Sequence, residues 1–566
     1  MNKTLFFDGF IERIKTQFNL EQNYAFEIFA IAPFLEMTFS EVFDDVSTLV
    51  DGKGNNDGGL DGIYLDQEEN KLHVFQIKNK NTIGDNDIHK FLRDYENIFV
   101  TGNNSAIPLN KRVQAALDQY TSIVKSGKVI ETSLYYIFNG EKSSINENII
   151  NRHEQSNPHL RIFDSNDLYA QIELLLLANK KRKDVSFSFM AEKSNISFKN
   201  DPQALISFQI QNIKAINFRL KAVKLCELLE NEIAVNKSIQ SVFSENIRGF
   251  LGRTKTNKKI KETLESNYAE YFPFLNNGIT IIAEQIKIPQ SMQAGEHPIE
   301  TKNPVIVNGL QTTRVIYDVY KQDRTKLEGV YVLIRLYETN EKDLIDKITD
   351  ATNTQSPINF RDKMSNKNFN EITKTFFAQK GIDYLTKRGE ILSLNADIAY
   401  KNMVHSDIVL KFWYASFRES PEEAKNSKSK VLETIYDASI DSEHSLHPLF
   451  NGDKNSPVYE QLFTAYSIYK FVLAKRKEKE AEPASSDFVL YADELLSYGL
   501  YKKNVKTDAD FLSAYDEIYN AIEENVSTEK KLLESNGKNY SHNGYFKSSK
   551  CRYDLNQKLN FIESQF

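Results

Sequence analysis

Hydrophobic positions along this chain recur at two spacings, and the switch between them marks where its elements begin and end. Over residues 5–18 (LFFDGFIERIKTQF) apolar side chains fall three and four apart, the spacing of one helix face. Residues 21–38 (EQNYAFEIFAIAPFLEMT) read as a second, more buried helix with Glu27 inside its apolar run. A carboxylate in that place needs a partner, because burying a lone charge is costly. A salt bridge would serve, and so would a metal or a catalytic lysine. Past Glu41 the segments shorten. Phe43–Val50 is expected as a strand and KGNNDGG as a flexible loop. Gly59–Leu65 alternates, placing Asp61, Ile63 and Leu65 on one face. Gln67–Asn70 is a turn. Leu72–Lys78 alternates again, with Leu72, Val74, Gln76 and Lys78 on one face and His73, Phe75 and Ile77 on the other.

Further on, helices are expected at 87–99, 108–126, 145–154 and 166–178, with strands at Leu134–Phe138 and Leu160–Phe163. The basic run NKKRK at 179–183 ends this first α/β unit. Residues 184–200 look strand-like and 203–233 helical. Three β-rich segments punctuated by Asn-Gly follow, FLNNGITIIAEQIKI, NPVIVNGLQTTRVIYDVY and GVYVLIRLY, with a helix after Leu310. Residues 365–415 and 428–474 are expected to be mainly helical. KRKEKEAEPASSD at 475–487, charged and then Pro/Ser-rich, reads as a linker. The expected fold class is mixed α/β (α+β). The expected domains are 1–183, 184–474 and a helical region at 488–566.

Composition narrows the partners. The net charge of −7 gives no global attraction to nucleic acid, so a protein that binds it needs a local basic groove. Arg248, Arg253, Lys255, Lys258 and Lys259 supply a basic patch that could track a phosphate backbone, or simply form a solvated face. Two cysteines, Cys226 and Cys551, argue against a disulfide framework or a Cys-rich zinc site and fit a reducing cytoplasm. No apolar run reaches membrane-spanning length, and the N-terminus has no secretory pattern. Trp413, with Phe412 and Tyr414 beside it, is expected in a core.

The chemistry centres on DGGLDGIYLDQEENKLHVFQIK at 57–78. Hydrolysing a phosphodiester requires a metal that neutralises developing charge and acidifies water, and magnesium takes oxygen ligands. Paired strands bring Asp61 beside Gln76 and Lys78, and Glu27 offers a second carboxylate. The Gln76 amide oxygen and the Ile77 carbonyl are further donors. Asp57 and Asp66 are expected as loop and turn residues, His73 as structural and His89 as exposed. The plain alternative is a surface hairpin with an ordinary Asp–Lys pair.

The helical Phe26-Glu27 pair, the D-G-G-L-D run ending at Asp61 and the Q-x-K at Gln76–Lys78 together resemble the PD-(D/E)XK nuclease superfamily in its Mrr-like form. The resemblance implies metal binding by Glu27 and Asp61, metal or its shell for Gln76, and catalysis by Lys78. It implies Mg2+ or Mn2+ as cofactor, DNA rather than RNA as substrate, and a homodimer. The departure from the commoner motif is Gln76 in place of an acid.

A second set of runs lies downstream: N-I-R-G-F-L-G at 246–252, F-L-N-N-G-I-T-I at 274–281, I-V-N-G-L-Q-T-T at 306–313 and A-T-N-T-Q-S-P-I-N at 351–359. Asn-Gly pairs suit tight turns, and Gln311, Thr312, Thr313 and Arg314 fall near a helix N-terminus, where N–H groups favour anions. A plain cap by Thr312 or Thr313 is the alternative. Arg248, Asn276, Asn277, Asn308, Gln311, Thr312, Arg314, Asn353 and Gln355 are the candidates for a shared polar pocket, taking nucleic acid, a nucleotide or a phage-derived trigger. In this order the four runs resemble the AIPR (abortive infection phage resistance) family over roughly residues 200–450. That resemblance implies a bacterial anti-phage defence protein. Together with the hairpin it gives the leading expectation, a nuclease fused to a sensor or nucleic-acid-binding module; the alternative is a non-catalytic binding protein on a nuclease-like fold.

Overall fold

The computed structural model describes the chain except residues 1–2, 51, 55, 103–108, 146, 179–182, 193–205, 211–212, 237–238, 244–254, 289–295, 354–362, 366, 387–389, 391–398, 483–486, 505–507 and 563–566. The fold is mixed α/β, as expected. The chain divides into two compact units, Met1–Glu173 with Lys363–Phe566, and Leu174–Asp362. The C-terminal third therefore packs with the N-terminal segment, in one unit.

In the first unit, α1 (Lys3–Phe18) and α2 (Gln22–Leu35) match the two expected helices. Strands β1 (Gly62–Asp66), β2 (Lys71–Lys78), β3 (Glu131–Phe138) and β4 (Leu160–Phe163) form one sheet in that order. β1 and β2 are an antiparallel hairpin, and β3 and β4 add in parallel after helical crossovers. Leu72, Val74, Leu134, Tyr136 and Phe138 are buried against the helix Asp85–Tyr95 and its continuation, the larger of them contributing about 1.5–3 kcal/mol each. His73 lies on the other face, as its alternation requires. It is within 2.9 Å of the Tyr135 hydroxyl, and burial pushes its pKa down to about 4.

Phe43–Val50 is not a strand. Val42–Val46 forms one wide helical turn, and Ser47 and Val50 make only isolated bridges. The reason lies far away in sequence. Asp44 pairs with Lys477, and Arg476 donates to the Asp44 carbonyl and to Asp45 Oδ1, both at 2.8 Å. The charged stretch expected as a linker is accordingly helical as far as Ala481, closing the helix Val458–Ala481. Its Arg476 also meets Asp493 at 2.6 Å, and Glu480 takes Arg112 at 2.8 Å with both side chains buried. Trp413 is core, its indole N–H donating to Gln461 at 3.0 Å. The 365–415 segment, expected helical, also holds two short parallel strands at Asp383–Leu385 and Met403–His405.

The second unit holds β5 (Ser186–Glu192), β6 (Ile206–Ile210), β7 (Ile213–Lys221), β8 (Ile279–Ala283), β9 (Gln285–Lys287), β10 (Glu296–Lys302), β11 (Val305–Asn308) and β12 (Tyr331–Glu338). They form a three-stranded sheet β5-β10-β9 and a five-stranded sheet β11-β8-β12-β7-β6. The hairpin β6–β7 occupies the start of the segment expected as helix, which begins only at Ala222. Among the described residues no helix is long and apolar enough to cross a membrane, and both cysteines are free and buried.

Candidate active site

Two glycines shape the D-G-G-L-D loop. Gly58 and Gly59 take positive φ (67° and 82°), and a Cβ on either would strike Ile98 or Asp94. Asp57 closes the turn by accepting the Gly59 N–H at 2.8 Å. The loop delivers Asp61 to the start of β1, where its N–H donates to the Phe75 carbonyl at 3.0 Å. Because β1 ends its pairing at Gly62–Phe75, the last residues of β2 have a free edge there. The Asp61 side chain fills that edge. Its Oδ2 accepts the Ile77 N–H at 2.6 Å and the Gln76 amide, and Lys78 Nζ lies 3.8 Å away. Oδ1 has no described hydrogen-bond partner.

Helix α2 sets the second carboxylate. Glu27 and Ile31 are one turn apart and share a face. A Cβ on Gly62 would lie 2.7 Å from Ile31 Cδ1, so the absent side chain lets α2 lie against the head of β1. That approach brings Glu27 into electrostatic contact with Asp61, Lys78 and Asp57. Glu27 has no described hydrogen bond, and its neighbours Phe26 and Ile28 are fully buried. Burial pushes its carboxyl up to about 9, reinforced by the Asp61 charge and opposed by Lys78. Asp61 is pushed up to about 6, again first by burial, while Lys78 and the Ile77 N–H pull it down. Two desolvated carboxylates with one lysine are short of positive charge. Oxygen donors in that condition suit a hard divalent cation.

The residues expected to meet here do so: Glu27, Asp61, Gln76, Ile77 and Lys78. Asp57 is closer to the chemistry than its loop position suggested, since its charge raises the proton affinity of both other acids. The signal was present, because its Asx turn ties it to the same glycines. Asp66 is a turn residue, accepting the N–H groups of Glu68 and Glu69. His89 is exposed, yet with Asp85 and His153 it forms a close acid–imidazole group that sequence spacing hid. Asp85 Oδ1 already holds Arg152 at 2.5 Å and His153 at 2.6 Å.

In the second unit, Asn276, Asn277, Asn308, Gln311 and Thr312 line one cavity of about 450 Å³. Asn276 donates to Thr312 Oγ1 at 3.0 Å, and Asn257 to Gln311 at 2.9 Å. The helix Leu310–Gln322 is capped by Gly309 at φ 96°, not by a threonine; Thr313 lies inside it and bonds back to the Gly309 carbonyl at 2.8 Å. Arg314 is not part of the lining. It lies half-buried near the Phe243 ring, and desolvation lowers its pKa to about 10. Asn353 ends the helix Lys342–Asn353. Arg248, Arg253 and Gln355 lie outside the described residues.

A curated tRNA dimethylallyltransferase from Malacoplasma penetrans (strain HF-2) is similar to this chain, 23% identical over 187 residues, which is 32% of the chain and 62% of that protein's length. No solved structure matches the chain. The sequence model of the family described as AIPR protein matches residues 243–543, reaching further toward the C-terminus than the four runs alone. The match takes in the F-L-N-N-G and V-N-G-L-Q-T-T runs that build the cavity and covers more than half of the chain, so the chain belongs to the AIPR family, a membership consistent with a role in anti-phage defence.

Proposed function

We propose that this protein is a divalent-metal-dependent nuclease acting in phage defence, with its active site at Glu27, Asp61, Gln76 and Lys78. One observation carries the reading. Glu27 and Asp61 are held together, desolvated and short of positive charge, beside a lysine on the same hairpin. Mg2+ or Mn2+ held by Glu27, Asp61 and the oxygens of Gln76 and Ile77 would supply charge neutralisation and an acidified water. The chain's own residues do the rest. Ile77 N–H and the Gln76 amide fix the Asp61 carboxylate by one oxygen and leave the other for ligation. Lys78, one strand position beyond Ile77 and half-exposed, offers its ammonium to the charge that develops on the phosphorus oxygens. The buried flank of α2 keeps water from screening Glu27.

DNA is the preferred substrate, on the Mrr-like motif order. RNA is the second to test, given the tRNA in the name of the similar curated protein. A non-catalytic binding role is the alternative, favoured by one fact: a glutamine stands where an acid would strengthen the metal site. Purified full-length protein with Mg2+ or Mn2+ decides between them. Cleavage that disappears in Asp61→Asn and Lys78→Ala, both folded, supports the nuclease. No cleavage by the wild type, with nucleic acid still bound, supports the alternative.

A further inference from the structure

The cavity of the second unit has a composition unlike the rest of the chain. Lys259 and Arg335 both line it, both are exposed, and neither has a described ion pair or hydrogen bond on its side chain. Among the described lining residues there is no aspartate or glutamate, in a chain whose net charge is −7. The helix Leu310–Gln322 starts at its wall, with no side-chain cap and no acid in its first turn, so its own residues leave the positive end of its dipole uncompensated.

A second feature is independent of the helix. Strand pairing sets Asn308 of β11 opposite Thr280 of β8, and Thr280 opposite Arg335 of β12. Paired residues share a sheet face, so these three side chains form one row, and the outer two line the cavity. Thr280 lies behind the lining, fully buried between them, and its hydroxyl has no hydrogen-bond partner among the described residues. A buried polar group without a partner is costly, and a ligand oxygen in the cavity would satisfy it.

From this we infer that the cavity binds a phosphomonoester of mononucleotide size, with the phosphate at the helix N-terminus between Lys259 and Arg335. Two free cations match the charge of about −1.5 to −2 that a phosphomonoester carries at pH 7. The volume of about 450 Å³ lies in the range of small-ligand sites. Ile260, Phe272 and Leu275 furnish an apolar wall for the attached ring. Gly278 and Gly309 of the lining are both at positive φ and packed tightly on the strands beneath; a Cβ on Gly278 would lie 2.8 Å from the Leu333 carbonyl.

The test is calorimetric titration of the full-length Asp61→Asn protein without divalent metal, so that neither cleavage nor the carboxylate site contributes. The probes are inorganic phosphate, AMP, adenosine and a 5′-phosphorylated oligothymidylate. AMP is expected to bind more tightly than inorganic phosphate, and adenosine not at all. Arg335→Ala and Lys259→Ala, exposed and safe for folding, should each weaken AMP by about tenfold or more. Thr280→Val keeps the shape and should weaken AMP without lowering the melting temperature. The inference is overturned if no phosphate probe binds, if binding ignores all three substitutions, or if only the oligonucleotide binds. None of these results touches the nuclease reading, which stands or falls on metal-dependent cleavage.

Discussion

At the hairpin of the first unit, Glu27 and Asp61 crowd two carboxylates against a single lysine, and their proton affinities rise. In the cavity of the second unit, Lys259 and Arg335 belong to a lining with no carboxylate among its described residues. One site lacks positive charge and the other lacks negative charge. Other charged groups of the same chain are paired. In the first unit, buried Arg476 meets Asp45 and Asp493, and buried Arg112 meets buried Glu480. Unpaired charge is costly where it is buried, as at Glu27 and Asp61, and cheap where it is exposed, as at Lys259 and Arg335; the proposed cation and anion would balance the two sites.

Several changes would break or sharpen this contrast. The largest effect belongs to Asp61→Asn, which removes an anionic ligand from the cation site. Cleavage should fall by about 100-fold or more, read as the initial rate on labelled DNA. AMP binding should not change. Glu480→Ala probes the balanced interior instead: it strands Arg112 without its buried partner and should cost about 3–5 kcal/mol in denaturant unfolding. Gly62→Ala is milder. It drives a methyl into Ile31, should cost about 1–3 kcal/mol, and should slow cleavage by moving Glu27 from Asp61.

The pH response separates the sites most simply. Both carboxyls have raised pKa values in the fold, so the folded chain holds their protons more tightly than the unfolded chain. Their contribution to stability is fully present below about pH 4, the unfolded carboxyl range. It is lost as pH rises through about 6 and then about 9. Without metal, the melting temperature should therefore carry a falling component from this pair across that window. Mg2+ competes with those protons, so the melting shift it produces should grow from pH 6 to pH 9. AMP affinity should stay flat from pH 7 to pH 9, because a phosphate with its second pKa near 6 is already ionised there. The smallest expected effect is on the metal-free fold of Glu27→Gln at pH 8: a modest rise in melting temperature, since folding no longer has to draw a proton onto a carboxyl that is ionised in the unfolded chain.

Much of the candidate active site was legible in the sequence because its parts are local. A glycine pair, an alternating hairpin and a carboxylate in an apolar helix each carry their own signal. What joins them was not legible. Nothing in the run at Gly62 says that Ile31 will lie above it, and this contact is what brings Glu27 to Asp61. The misread segments have the same cause. Phe43–Val50 has strand-like residues, but ion pairs with Arg476 and Lys477 hold it as a helical turn. Residues 475–481 look like solvated linker, yet Arg476 and Glu480 are buried by partners scattered from Asp45 to Asp493. Within β6 and β7, ISFQI and IKAINFRLK carry apolar residues dense enough for a buried helix, and sheet pairing decided the outcome.

The central claim is that the Glu27–Asp61 pair is a catalytic cation site, and cleavage by the purified full-length chain tests it most directly. Double-stranded DNA is incubated with the wild type and with folded Asp61→Asn, each with Mg2+ or with chelator. Cleavage is expected from the wild type with metal and from none of the other three conditions. Cleavage that survives in Asp61→Asn, or that proceeds equally in chelator, would contradict it.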